Sequence, residues 1–105
     1  MKLNVLERVL LLGTLPKEGD ITTLKLIRKL RESLSFSEEE HERLQFKQEE
    51  ERLTWAEQFE KDIHFGKKTE NIIVDVLNKL NEEGKLNEDF ISLFDKFVPS
   101  EEEES

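Results

Sequence analysis

Apolar residues recur at helical spacing along most of this chain, and at strand spacing in one place. Val5, Leu6, Val9, Leu10 and Leu12 form a broad apolar surface near the start. Asn4 with Glu7 three residues later is a capping-box pattern, and Gly13 followed by Pro16 supplies a stop. Leu24, Ile27, Leu30 and Leu34 recur at three- and four-residue steps, predicting a helix over 21–34 capped by Asp20. The weak helix formers Ile21, Thr22 and Thr23 predict a start delayed by a residue or two. Ser37 and Glu40 form a second capping box, predicting a helix from Glu38 to at least Leu44. After a break at Gly66, Thr69 is the expected cap of a fourth helix, with Ile72, Ile73, Val76, Leu77 and Leu80 facing inward, Asp75 and Lys79 as an i,i+4 pair and Gly84 as terminator. Asn87 caps a fifth helix carrying Phe90, Phe94 and Phe97, with Leu86 and Ile91 as a staple and Pro99 beyond its end.

The segment 45–61 is where propensity and pattern disagree. It is rich in Glu, Gln, Lys and Arg, with neither Gly nor Pro, so one long helix over 38–61 is an all-α alternative. Its apolar residues follow a different period: Leu44 and Phe46 are two apart, and so are Leu53 and Trp55. A hairpin within 45–56, turning through Glu49, Glu50 and Glu51, places both pairs on one face, although three glutamates are poor turn residues. His64 is expected in a strand between Ile63 and Phe65. The expected fold is therefore α+β and helix-dominated, about five helices with one small hairpin between the third and fourth, an order loosely like a winged helix. A fold-level likeness of that kind does not assign function.

Length and composition fit this picture. The 105 residues suit one domain over 1–98, followed by an expected frayed acidic tail, 99–105. Charged residues make up 39% of the chain, well above the usual quarter, so a heavily charged surface is expected. The absence of cysteine rules out disulfides and thiolate metal sites. Glu7 and Arg8 interrupt the N-terminal apolar run as a signal peptide, and no stretch reaches the ~18 apolar residues of a membrane span. The expectation is a cytoplasmic protein. Net charge is −9, unevenly divided: residues 1–31 hold seven Lys/Arg against three Asp/Glu, and the remainder hold nine against 22.

The stretches "MKLNVLERVLLLGTLPKEGDITTLKLIRKLRESLSFSEEEH", "RLTW" and "LFDKFV" resemble small proteins encoded by tailed bacteriophages and prophages, a group mostly of unknown function. The resemblance covers most of the chain in general pattern. It contains no catalytic motif and implies a phage-derived protein working in a bacterial cytoplasm.

The residues offer little for catalysis. His41 and His64 are 23 positions apart, and Glu38, His41 and Glu42 read as a solvated helix start rather than metal ligands. Neither a nucleophile elbow nor a phosphate loop is present, so no catalytic, cofactor or metal residue is assigned and an enzyme is not expected. Two surfaces stand out. Glu49, Glu50, Glu51 and Trp55 form a candidate interaction surface for a protein partner. An acidic surface speeds encounter with a basic partner, and one form of this reading is an inhibitor imitating nucleic-acid charge. Lys25, Arg28, Lys29 and Arg31 on the second helix are the alternative, as phosphate contacts of a winged-helix-like nucleic-acid binder, although an acidic wing tip opposes that approach. Self-association through the same opposite charges is a third reading.

Overall fold

A computed structural model describes residues 1–98; the tail expected over 99–105 lies outside the described residues. In chain order the elements are β1 (Lys2–Asn4), α1 (Val5–Thr14), α2 (Ile21–Leu34), α3 (Glu38–Leu44), β2 (Lys47–Glu49), β3 (Arg52–Thr54), β4 (Glu60–Asp62), α4 (Lys67–Glu82), a 3-10 turn (Glu88–Phe90) and α5 (Ile91–Phe97). The fold is α+β and helix-dominated, with the hairpin between the third and fourth helices. The long-helix alternative over 38–61 is excluded: Gln45 turns left-handed at φ 48° and ends α3.

Side-chain caps set most helix starts. Asn4 accepts from the Glu7 N–H, and Glu7 accepts in return from the Asn4 N–H, a closed capping box. Ser37 and Glu40 repeat it at α3, and Asp20 accepts from the Thr23 N–H. That last cap outweighs the β-branched residues behind it, so α2 begins at Ile21 without the expected delay. α1 runs through Gly13 to Thr14, because Leu15 is drawn into the core and Pro16 holds it in an extended conformation, φ −59° and ψ 138°. At α4 the cap is Gly66 rather than Thr69, whose hydroxyl instead donates to the Gly66 carbonyl. Gly84, at φ 67°, ends that region in the left-handed conformation expected of a terminating glycine. Asn87 caps the 3-10 turn by accepting from the Asp89 N–H, and α5 grows directly out of it.

The hydrophobic core lies inside a ring of helices. α1 packs on α2, α2 on α4, α4 on α5, and the 3-10 turn before α5 closes back onto α1. Leu3, Leu11, Leu15, Ile27, Leu30, Leu34, Ile63, Ile73, Leu77, Phe90, Leu93 and Phe97 fill the interior. Within α1 the buried apolar positions are Val5 and Leu11, while Leu6, Val9, Leu10 and Leu12 are only partly covered. Of the phenylalanine stripe, Phe90 and Phe97 are interior and Phe94 is half-buried.

Two antiparallel two-stranded sheets lie beside this ring. β1 pairs with β4, Leu3 opposite Lys61, which delivers Leu3 and Ile63 to the core and leaves the side chains of β4 in solvent. β4 ends at Asp62, so His64 is an exposed residue following the strand rather than part of the sheet. β2 and β3 form the hairpin, with Lys47 opposite Thr54, Gln48 opposite Leu53 and Glu49 opposite Arg52.

Candidate functional site

α3 and the hairpin form an outlying unit, and a buried arginine from α1 anchors it. Arg8 has no solvent exposure. Its Nε donates to the Leu34 carbonyl at 3.1 Å and its Nη2 to the Ser35 carbonyl at 2.7 Å, tying α1 to the end of α2. Its Nη1 and Nη2 grip the two carboxylate oxygens of Glu40 at 2.7 and 3.2 Å, tying α1 to α3. The guanidinium also lies 4.0 Å from the centre of the Phe36 ring, a stacked cation–π contact. The Arg8 hydrogen bonds hold the Glu40 carboxyl down to about 2, against 4.5 ordinarily, with the Ser37 N–H assisting.

Glu7 faces the other way and is equally buried. It accepts from Lys96 Nζ at 2.8 Å and from the Ser92 hydroxyl at 2.9 Å, joining α1 to α5. Burial pushes its carboxyl up, but the bonds from Lys96, Asn4 and Ser92 outweigh that and leave it below the ordinary range. Among the described residues every buried side-chain polar atom has a partner. Glu7 and Arg8 are therefore struts of the fold. In the sequence, Glu7 reads as half of a capping box and Arg8 only as an interruption of an apolar run. The available signal was their setting: a helix apolar on most sides leaves a charged residue no outward face, so such a charge must find a buried partner.

Around this anchor runs a chain of aromatic rings. Phe36 meets His41 at 6.1 Å and Phe46 at 5.0 Å, His41 meets Phe46 at 5.5 Å, and Phe46 meets Trp55 at 6.0 Å, all edge to face. The pairing of Gln48 with Leu53 gives the hairpin its two faces. Lys47, Glu49, Arg52 and Thr54 point to one side, and Gln48 and Leu53 to the other, with Phe46 and Trp55 continuing the second alternation. The ring-lined face opens onto a shallow depression of about 310 Å³, bounded by Val9 and Leu12 of α1, Phe36, His41 of α3, and Phe46 and Leu53 of the hairpin. Its walls are almost wholly apolar, and Leu53 is 37% exposed.

The four residues singled out for a protein partner are divided by this geometry. Glu49, Glu50 and Glu51 are all exposed at the hairpin end. Glu49 lies opposite Arg52, so its charge has a basic neighbour. Glu50 and Glu51 occupy the turn. Trp55 is half-buried against Phe46 and borders a second, polar depression of about 220 Å³ with Gln45, Lys47, Glu49, Thr54 and Ala56. The apolar depression was not anticipated, because Val9 and Leu12 of α1, Phe36 before α3 and Leu53 of the hairpin come from three separate segments.

The basic residues of α2 are less concentrated than their sequence clustering suggests. Lys25, Arg28 and Lys29 are exposed on its outer side, while Arg31 is half-buried on the opposite flank from Lys29. Lys29 borders a depression of about 170 Å³ with Leu30, Ser33, His64, Phe65, Gly66 and Thr69. The exposed Lys67 and Lys68 follow Gly66 directly in the chain. Among the described residues no cluster of His, Cys, Asp or Glu is placed to hold a metal ion, and no helix is long and apolar enough to cross a membrane. Compared with protein-family models, curated proteins and solved structures, the chain has no match.

Proposed function

We propose that this chain is a non-enzymatic protein-interaction module whose working surface is the α3–hairpin unit. The observation that carries the reading is the exposed pair Glu50 and Glu51 at the hairpin turn, neither of them in an ion pair among the described residues. Other carboxylates have structural duties: Glu7 and Glu40 in ion pairs with Lys96 and Arg8, Asp20 at a helix cap, Asp62 on the N-terminal amine. Charge left in solvent at the end of a rigidly anchored hairpin is suited to steering a basic partner into place. In the phage setting that the sequence resemblance implies, the partner is a host or phage protein, and one form is an inhibitor that occupies a basic nucleic-acid groove in the bacterial cytoplasm. Affinity capture from a bacterial lysate at low and high salt tests this. A specific protein retained at low salt and released at high salt is expected; no retained protein at low salt refutes it.

One observation favours a second reading, a nucleic-acid binder. Lys25, Arg28 and Lys29 are exposed on α2, and Lys29 borders the segment leading to Lys67 and Lys68, a wider basic surface than α2 alone offers. Arg31 contributes from the flank. A gel shift on duplex DNA at low salt, abolished by Arg28→Glu with Lys29→Glu, is the expected result. No shift by the wild type eliminates this reading.

A further inference from the structure

The apolar depression beside the hairpin opens to solvent, and exposed glutamates flank its lining residues on α3 and on the hairpin. We infer that it is the docking groove for a basic amphipathic helix of a partner protein. This inference rests on the interaction-module reading and specifies its site and the chemistry of its partner.

The apolar half of the match comes from the walls. Val9 and Leu12 stand one helical turn apart on α1, Phe46 and Leu53 face them from the hairpin, and Phe36 with His41 closes the base. An α-helix laying two or three bulky apolar residues into such a trough buries them as in other helix-in-groove complexes. The walls are held in place from beneath. Arg8 stacks on Phe36, and its grip on Glu40 fixes α3. The trough is therefore already formed, which lowers the ordering cost of binding.

The polar half comes from the rim. On α3, Glu38 and Glu42 lie on the outward side next to His41 and are exposed. At the hairpin end, Glu50 and Glu51 lead directly into the strand carrying Leu53. The cations of α1, α3 and the hairpin are turned away: Lys47 and Arg52 lie on the other face of the hairpin, Arg43 pairs with Glu57, and Arg8 is buried against Glu40. An apolar floor between acidic borders fits a helix with leucine-like anchors on one face and Lys or Arg on its flanks. The same rim repels the phosphates of nucleic acid and of anionic lipid headgroups, so those surfaces are poor occupants.

The probe is a tryptophan-free synthetic helix of leucine and lysine, with leucines at i, i+3, i+4 and i+7. Controls are a scrambled peptide of the same composition and a leucine–glutamate counterpart. Trp55, the only tryptophan, lies 6.0 Å from Phe46 of the groove wall and reports occupancy by its fluorescence. The patterned leucine–lysine peptide is expected to bind, the scrambled and acidic peptides not. Leu53→Ser, at an exposed position that spares the fold, is expected to weaken binding about tenfold. Glu50→Lys with Glu51→Lys is expected to weaken it further at low salt than at high salt.

Equal binding of the scrambled peptide, or an affinity indifferent to Leu53→Ser, overturns the groove. So does a dimer in sedimentation that Leu53→Ser dissociates, since a second copy would then be the occupant. A lysate protein captured equally by wild type and Leu53→Ser removes the groove and leaves the interaction reading in place. Capture by neither, at low salt, removes the interaction reading itself.

Discussion

Replacing Arg8 with methionine removes the anchor of the α3–hairpin unit while keeping most of its apolar stem. The side chain is fully buried, makes four hydrogen bonds and covers the Phe36 ring. Breaking one side of a buried pair costs about 3–5 kcal/mol, because the partner's charge is left uncompensated. The shift at Glu40 gives an independent scale. Its carboxyl titrates at about 2 in the folded protein and near 4.5 when unfolded. That difference corresponds to on the order of 3 kcal/mol. The two figures describe one interaction and are not additive. Because the folded value is the lower one, the stabilisation is complete above the unfolded value and fades as pH falls from about 5 toward 2. Urea titrations of wild type and Arg8→Met at pH 7 and pH 3, followed by Trp55 fluorescence and circular dichroism, measure both effects. The variant should lose about 3–5 kcal/mol at pH 7 and clearly less at pH 3, where Glu40 is already largely protonated in the unfolded chain and much of the linkage is gone. Adding Glu40→Leu should restore part of the loss at pH 7, since no unpaired carboxylate then remains. A loss below about 1 kcal/mol, or an equal loss at both pH values, refutes the anchoring argument.

Two further substitutions test local chemistry. Glu50 sits at φ 55°, and of the two central residues of its turn it alone has positive φ, the position glycine favours in a II′ hairpin turn. Glu50→Gly should therefore stabilise the hairpin by about 0.5–1 kcal/mol, seen as a raised thermal midpoint, and an unchanged or lowered midpoint contradicts the strain. Ser37→Ala opens one half of the α3 capping box and should cost about 1 kcal/mol in urea denaturation, and an unchanged midpoint contradicts the capping role.

How much of this was legible in the sequence follows from the range of the interactions involved. Caps are local, and Asn4, Asp20 and Ser37 marked three helix starts within a residue. The hairpin was readable from the two-residue spacing at 53/55, but the matching spacing at 44/46 has another origin, since Leu44 closes α3 and Gln45 turns left-handed before β2 begins at Lys47. β1 and β4 were not readable. Each has three residues, too few for a period, and "EKD" has no apolar side chain; its backbone register with β1 holds it. Gly13 misled because a long-range demand, the burial of Leu15, carried α1 past it. Thr69 misled for the opposite reason, since Gly66 caps α4 through backbone geometry alone. The expected Asp75–Lys79 ion pair does not form within 4.0 Å, as is common for exposed pairs that bring little energy. At the candidate site the acidic turn was visible as composition. The groove was not, because its walls come from segments that only the Arg8 anchor and the aromatic chain bring together.

The central claim is that this protein acts by holding a partner on its α3–hairpin unit. The most direct test is one quantitative capture experiment, comparing wild type with Glu50→Lys/Glu51→Lys as bait in a bacterial lysate at low salt. The account predicts a specific protein retained by the wild type and lost, or reduced at least severalfold, with the charge-reversed turn. Equal retention by both baits, or none by either, contradicts it.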